Sequence, residues 1–137
     1  MKQDLQQLIL DGARRVTPLY VGKLVRHLPE IRLVATQVTD FPHLADQVEF
    51  LAELIEDFHS DLNPNVPYTA IAEAAFALSY LRRRVDIIPD GVPGIGYGDD
   101  AAIITTVFET YKEAFLKHLI GRDKKRLAGP RREKLSS

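Results

Sequence analysis

The sequence lacks cysteine altogether, and it lacks any long hydrophobic run. Without cysteine, disulfide bonds, thiolate metal sites and cysteine nucleophiles are excluded, and the chain fits a reducing compartment. No stretch reaches the roughly 20 apolar residues needed to span a bilayer. The first ten residues, MKQDLQQLIL, do not have the long apolar core of a signal peptide. We therefore expect a soluble, cytoplasmic protein.

The chain has almost no net charge, but its charges are unevenly distributed. The formal net charge is −1 at pH 7, with +6 from residue 117 onward and −7 over residues 1–116. An acidic body does not suit specific binding of nucleic acid, because neutralising phosphates requires a basic face. The basic end of the chain could still make a weak peripheral contact with an anionic membrane.

Strict alternation of apolar and polar residues, the pattern of a strand, is scarce, and helical spacing dominates instead. Two amphipathic stripes recur at steps of three or four residues. The first comprises Leu44, Val48, Leu51, Ile55 and Phe58. The second comprises Ile104, Phe108, Tyr111, Phe115 and Leu119. Residues 68–81 are apolar on most sides, which predicts a central helix buried by its neighbours.

Several prolines predict where helices begin. Thr17 followed by Pro18 is typical of an N-cap and the first helical residue. Pro29 is expected to begin another helix, and Pro67 to open the central one. Together these signals predict an all-α fold. We expect a single-domain bundle of five or six helices over residues 1–120, followed by a basic, disordered tail at 121–137.

A loop rich in glycine, aspartate and proline separates the last two core helices. It reads DIIPDGVPGIGYGDD and occupies residues 86–100. One interpretation is structural: Asp99 and Asp100 cap the helix that follows, where a carboxylate accepts a bond from a first-turn N–H. Asp86 would then pair with a preceding arginine or cap the turn IIPD, and Asp90 before Gly91 would form an ordinary turn. We prefer this interpretation.

The alternative interpretation of the same loop is a cation site. Asp86 and Asp90 lie four residues apart, and a folded loop could bring Asp99 and Asp100 close to them. Converging carboxylates repel one another unless a cation or an arginine neutralises them. Mg²⁺ and Ca²⁺ prefer such oxygen ligands, and a bound cation could activate water for hydrolysis.

The three arginines before the loop, Arg82, Arg83 and Arg84, also admit two interpretations. They could form a patch that binds phosphate or a lipid headgroup. Arginine near the C-terminal end of a helix is also what the helix dipole favours, and we prefer this structural interpretation.

Residues 70–108, which include the loop, resemble the YkvA-like proteins, the domain of unknown function 1232. The resemblance rests on an apolar helix, an Asp–hydrophobic–Ile–Pro–Asp turn, a glycine, an Asp–Asp pair and a second apolar helix. The matching positions are Asp86, Ile88, Pro89, Asp90, Gly96, Asp99 and Asp100. The resemblance implies a helical protein without an assigned enzymatic activity, in a family with many membrane-associated members. The arginines at 82–84 depart from the apolar or Ser–Pro step common there, which favours a soluble member.

These observations lead to two functional hypotheses. The leading one is a non-catalytic helical binding or scaffold module that binds a protein partner or itself and needs no cofactor. Its surfaces would be the basic tail and the acidic side of the first stripe, formed by Glu49, Glu53, Glu56 and Asp57. The rival is a Mg²⁺- or Ca²⁺-dependent, hydrolytic site formed by Asp86, Asp90, Asp99 and Asp100.

Overall fold

Six α-helices of eight or more residues make up most of the computed structural model, which describes residues 2–60, 66–87 and 98–117. They are α1 (Lys2–Ala13), α2 (Pro18–Val25), α3 (Leu28–Gln37), α4 (Leu44–His59), α5 (Tyr68–Ile87) and α6 (Gly98–Thr110). A short helical segment at 112–117 follows α6. The described part of the chain contains no strand, so the all-α prediction is confirmed.

The predicted helix starts are confirmed for the two short N-terminal helices. The hydroxyl of Thr17, in extended backbone conformation, accepts a hydrogen bond from the backbone N–H of Tyr20 over 3.1 Å. Pro18 occupies the start of α2, where its missing N–H costs nothing. Pro29 lies in the first turn of α3 for the same reason. The cap and the prolines therefore set where α2 and α3 begin.

Helix α5 is the centre of the bundle and packs against each of the other five helices. Alanines dominate its buried positions, including Ala70, Ala74, Ala75 and Ala77, all 0% exposed. Small side chains let neighbouring helix backbones approach closely from several directions. The prediction of a central helix buried on most sides is confirmed, but α5 extends to Ile87 instead of ending at residue 81.

The second predicted stripe does not form one continuous helix. Helix α6 ends at Thr110, and the backbone makes a turn at Tyr111 before the segment at 112–117. The hydroxyl of Thr110 donates a 2.7 Å hydrogen bond to the carbonyl oxygen of Thr106. Such a bond back to the preceding turn competes with the backbone ladder and bends helices. Phe115 beyond the turn is still buried, so the stripe continues across the break.

No helix in the described ranges combines the length and the apolar character needed to cross a membrane. The three arginines of α5 explain this for the longest helix, because they interrupt its apolar face near the C-terminal end.

Candidate functional site

The two aspartates at the start of α6 differ strongly in exposure. The helix begins at Gly98, so Asp99 and Asp100 lie in its first turn, and neither precedes it as predicted for an N-cap. Asp99 is exposed, whereas Asp100 is 0% exposed. Negative charge in the first turn is still favoured by the helix dipole. The structural interpretation therefore keeps its physical basis, although the aspartates lie inside the helix and not before it.

The other two aspartates of the loop lie at or beyond the edge of the described structure. The backbone of Asp86 belongs to the last turn of α5, but its side chain and the whole of Asp90 lie outside the described residues. Within the described ranges, no three acidic or histidine side chains are placed to hold a metal ion. Convergence of the four aspartates therefore stays a prediction.

The acidic side of α4 is less accessible to a partner than its sequence predicts. The guanidinium of Arg32 on α3 binds the carboxylates of Glu49 and Glu56, with a shortest N–O distance of 2.8 Å to each. These bonds raise the pKa of Arg32 above its ordinary value. Asp57 is only 4% exposed. Two of the four predicted acidic residues thus hold α3 against α4, and a third is buried.

A buried carboxylate on the central helix has a tyrosine partner. Glu73 is 8% exposed, and the Tyr111 hydroxyl donates a 2.8 Å hydrogen bond to its Oε2. Burial raises the pKa of Glu73 above its ordinary value, while the bond from Tyr111 acts in the opposite direction. Burial and the neighbouring carboxylate likewise raise the pKa of Tyr111. The pair links α5 to the turn after α6.

A groove lies between α1 and α5. The α1 side presents Leu8, Asp11, Gly12 and Arg15, with Arg15 in the turn that follows the helix. The α5 side presents Phe76, Ser79, Tyr80 and Arg83. Both sets follow the spacing i, i+3, i+4, i+7, which places each on one face of a helix. We call this surface the α1/α5 groove.

The α1/α5 groove has two connected parts. The first has a volume of about 560 Å³ and includes Leu8, Asp11 and Tyr80. The second has a volume of about 240 Å³ and includes Tyr20, Ser79 and Arg82. Gly12, Arg15, Phe76 and Arg83 line both parts. The larger part lies within the range of roughly 300–1,000 Å³ that small-molecule sites occupy.

Gly12 determines the depth of the groove. A Cβ atom at this position would lie 2.1 Å from the ring of Phe76, so only glycine lets the ring approach the α1 backbone. Phe76 is 7% exposed, and its ring centre lies 6.0 Å from that of Tyr80. The two rings therefore form an apolar floor.

Positive charge surrounds this apolar floor. Arg15 and Arg83 are exposed, and neither has an ion-pair partner in the described part of the chain. The Arg83 guanidinium lies 5.8 Å from the ring centre of Tyr80, which holds it over the groove. Arg82 at one end approaches Glu30 of α3 at 3.8 Å. Because no described carboxylate pairs with Arg15 or Arg83, their guanidinium groups favour binding of an anion from solution.

A chain of hydroxyl groups fixes the narrower end. Ser79 donates a 2.7 Å hydrogen bond to the carbonyl oxygen of Ala75. Its hydroxyl hydrogen is thereby used, so Tyr20 donates to the Ser79 Oγ over 2.6 Å. This bond anchors α2 to α5 and makes the Tyr20 ring a fixed wall of the groove.

Sequence reasoning found the arginines of α5 but missed the groove. The signal was the face that joins Phe76, Tyr80 and Arg83, which mixes aromatic and cationic side chains at helical spacing. The contribution of α1 could not be read from its own sequence, since it depends on which face of α1 meets α5.

Comparison with known proteins gives one family match. Residues 70–106 match the model of the family described as protein of unknown function (DUF1232). The matched range covers most of α5 and α6, and it confirms the resemblance to domain of unknown function 1232 within the predicted 70–108, while the YkvA-like label stays a prediction. No curated protein and no solved structure matches the chain.

Proposed function

We propose that this chain, which belongs to the DUF1232 family through residues 70–106, is a non-catalytic helical binding module that takes up an anionic partner in the α1/α5 groove. The observation that carries the proposal is the pair Arg15 and Arg83, which line the same groove as the ring of Phe76 and have no ion-pair partner among the described residues.

The chemistry of the groove favours an anion with an apolar part. A guanidinium group binds a carboxylate, sulfonate or phosphate through two parallel hydrogen bonds, and it does so better than an ammonium group. The aromatic floor adds dispersion contacts and excludes water on one side. A simple inorganic anion would use only the arginines, whereas an anion with an apolar body would use both features.

Binding of 8-anilinonaphthalene-1-sulfonate tests the proposal, because this fluorescent probe combines a sulfonate with aromatic rings. We expect saturable binding of one probe molecule per native chain. Charge reversal of both groove arginines (Arg15→Glu with Arg83→Glu) should weaken it about tenfold or more, as expected for losing charge-assisted hydrogen bonds of roughly 1.5–3 kcal/mol.

Arg26→Glu with Lys112→Glu serves as the matched control, since it also reverses two exposed positive charges and neither residue lines the groove. It should leave probe binding unchanged. Circular dichroism must show native helix content in all variants. If Arg15→Glu with Arg83→Glu folds normally and still binds the probe as strongly as the parent chain, the groove is refuted as the binding surface.

The tail and self-association remain separate hypotheses about partners. A protein partner or a second copy could bind elsewhere on the chain, and the basic residues from 117 onward could contact an anionic membrane. Light scattering after size exclusion, and vesicle flotation at low and high salt, test these two hypotheses independently of the groove.

A further inference from the structure

The two groove arginines lie at the boundary between the two parts of the α1/α5 groove. Arg15 from the α1 side and Arg83 from α5 line both parts. Along the chain, Arg15 lies between Leu8, which lines only the larger part, and Tyr20, which lines only the smaller part. The positive charge that has no ion-pair partner among the described residues is therefore central to the groove.

The geometry of α5 places the same boundary along one line of the helix. Phe76 and Arg83 both line the two parts, and they lie seven residues apart, which is close to two full turns. Tyr80 lies on one flank of this line and lines the larger part, whereas Ser79 and Arg82 lie on the other flank and line the smaller part. The two parts thus open on opposite sides of the line.

Both parts offer apolar surface beside this boundary. Leu8, which is 41% exposed, and the ring of Tyr80 line the larger part. Val16 and the ring of Tyr20 line the smaller part. The volumes are about 560 Å³ and about 240 Å³, so the two parts would hold apolar groups of unequal size.

The charged residues that line only one part already have partners. Asp11 of the larger part accepts a 3.4 Å hydrogen bond from Arg14. Arg82 of the smaller part approaches Glu30 at 3.8 Å. An incoming anion therefore gains most at the boundary, and apolar groups gain most on either side of it.

From this arrangement we infer that the partner in the groove is a small organic anion whose carboxylate or phosphodiester group lies between two apolar arms of unequal size. The oxyanion binds Arg15 and Arg83 at the boundary. The longer arm lies in the larger part beside Leu8, and the shorter arm lies in the smaller part beside Val16. The inference rests on the proposed function, because it assumes that the groove is the binding surface.

Two isomeric acids test the position of the anion. In 2-butyloctanoate the carboxylate lies between a butyl and a hexyl arm, whereas dodecanoate has the same formula and charge with its carboxylate at one end. In calorimetric titration of the full chain with monomeric acid, 2-butyloctanoate should bind one molecule per chain and about tenfold or more tightly than dodecanoate. Only the branched acid can contact the arginines while its carbons fill both parts.

The contribution of each arm is tested by removing it. Octanoate lacks the butyl arm and hexanoate lacks the hexyl arm, and each should bind more weakly than 2-butyloctanoate because it buries less apolar surface. Dihexyl phosphate carries two arms on a phosphodiester, so its comparison with 2-butyloctanoate distinguishes the two anionic groups. At least one of these two-armed anions should displace the fluorescent sulfonate probe.

The place of the longer arm is tested by Leu8→Asn. This variant should bind 2-butyloctanoate several-fold more weakly than the parent chain, because a polar amide replaces apolar surface in the larger part. Leu33→Asn is the control, since Leu33 is 59% exposed on α3 and does not line the groove. Circular dichroism must show native helix content in both variants. Equal affinity in Leu8→Asn and the parent chain would contradict this placement.

The outcomes separate the inference from the proposed function. Sulfonate binding that depends on Arg15 and Arg83, but that neither two-armed anion displaces, would refute the inference and leave the groove as a binding surface. Dodecanoate that binds as tightly as its branched isomer would show that the anion is not held centrally. Sulfonate binding unchanged by Arg15→Glu with Arg83→Glu would remove the proposed function and the inference together. Binding only to anionic vesicles, and to neither monomer, would overturn the inference in favour of a membrane surface.

Discussion

At the scale of single residues, Asp100 has a role in both the structural and the cation interpretation of the loop. Its carboxylate is 0% exposed in the first turn of α6, whereas that of its neighbour Asp99 is exposed. Negative charge in the first turn is favoured by the helix dipole, which supports the structural interpretation. A cation would bury such a carboxylate equally well, so burial alone does not separate the two interpretations.

Replacing Asp99 and Asp100 in turn by alanine distinguishes the structural interpretation from the cation interpretation. We expect Asp100→Ala to lower the free energy of unfolding by about 1 kcal/mol, because an acid in the first turn interacts favourably with the helix dipole. Asp99→Ala should cost less, because its side chain is exposed. On the structural interpretation, neither Mg²⁺ nor Ca²⁺ shifts the melting temperature of the parent chain. A metal-dependent shift that Asp100→Ala abolishes would establish the cation site instead.

Glu73 contributes a pH dependence that follows from its burial. Because burial raises its pKa above the ordinary value of 4.5, the folded chain holds this proton more tightly than the unfolded chain. Stability therefore falls as the pH rises from the ordinary pKa to the raised one, and below the ordinary pKa the carboxyl adds no pH dependence.

Urea unfolding from about pH 3 to about pH 8 measures this effect. Glu73→Gln removes the carboxylate and retains an oxygen that can accept the bond from Tyr111. Its stability relative to the parent chain should increase across this window and then stay constant. The exposed Glu113→Gln corrects for the change in net charge. A constant difference between parent and Glu73→Gln at every pH would contradict the expectation.

At the scale of helices, periodicity predicted most of the fold, and tertiary contacts account for the rest. The stripe that includes Val48, Leu51 and Ile55 was sufficient to place α4, because these side chains share one buried face. The extension of α5 beyond Leu81 was missed, since the arginines that follow have no apolar period. The turn at Tyr111 was missed because the apolar stripe continues across it, so the periodicity does not mark the break.

The candidate site was harder to predict than the helices. The arginines at 82–84 were recognised as a candidate patch, but the groove needs Gly12 and Leu8 from a distant part of the sequence. Nothing in a single sequence states that the small residue of α1 faces the large residue of α5. The aspartate loop, by contrast, was found from sequence, and most of it lies outside the described residues.

The contact between α3 and α4 depends on one arginine. Arg32 donates hydrogen bonds to Glu49 and Glu56 through all three guanidinium nitrogens. We expect Arg32→Met to cost about 1 kcal/mol, since partial exposure weakens the ion pairs. Arg32→Lys should recover little of it, because an ammonium group cannot hold two carboxylates with a planar fork.

Chemical denaturation of both variants measures the cost. The control is Arg14→Met, which removes a single 3.4 Å pair whose arginine side chain is 74% exposed. It should leave stability nearly unchanged. Full recovery in Arg32→Lys would show that charge alone holds α3 to α4.

At the scale of the whole molecule, α5 connects the α1/α5 groove to the core. One side of the helix carries Phe76, Tyr80 and Arg83 at the groove, while its alanines contact the other helices. A rigid central helix suits a binding module, because it fixes the positions of groove side chains without a separate scaffold. It also means that a change in the packing of α5 should affect the entire bundle.

Overpacking of α5 tests this dependence. Ala74 is 0% exposed, so Ala74→Leu must displace neighbouring helices and should lower the free energy of unfolding by about 1–3 kcal/mol. Ala102→Leu makes the same change at an exposed position of α6 and should be nearly neutral. Because α5 contacts every other helix, helix loss by circular dichroism and tyrosine fluorescence should shift together in Ala74→Leu. Separate transitions for the two probes would mean that part of the bundle folds independently of its central helix.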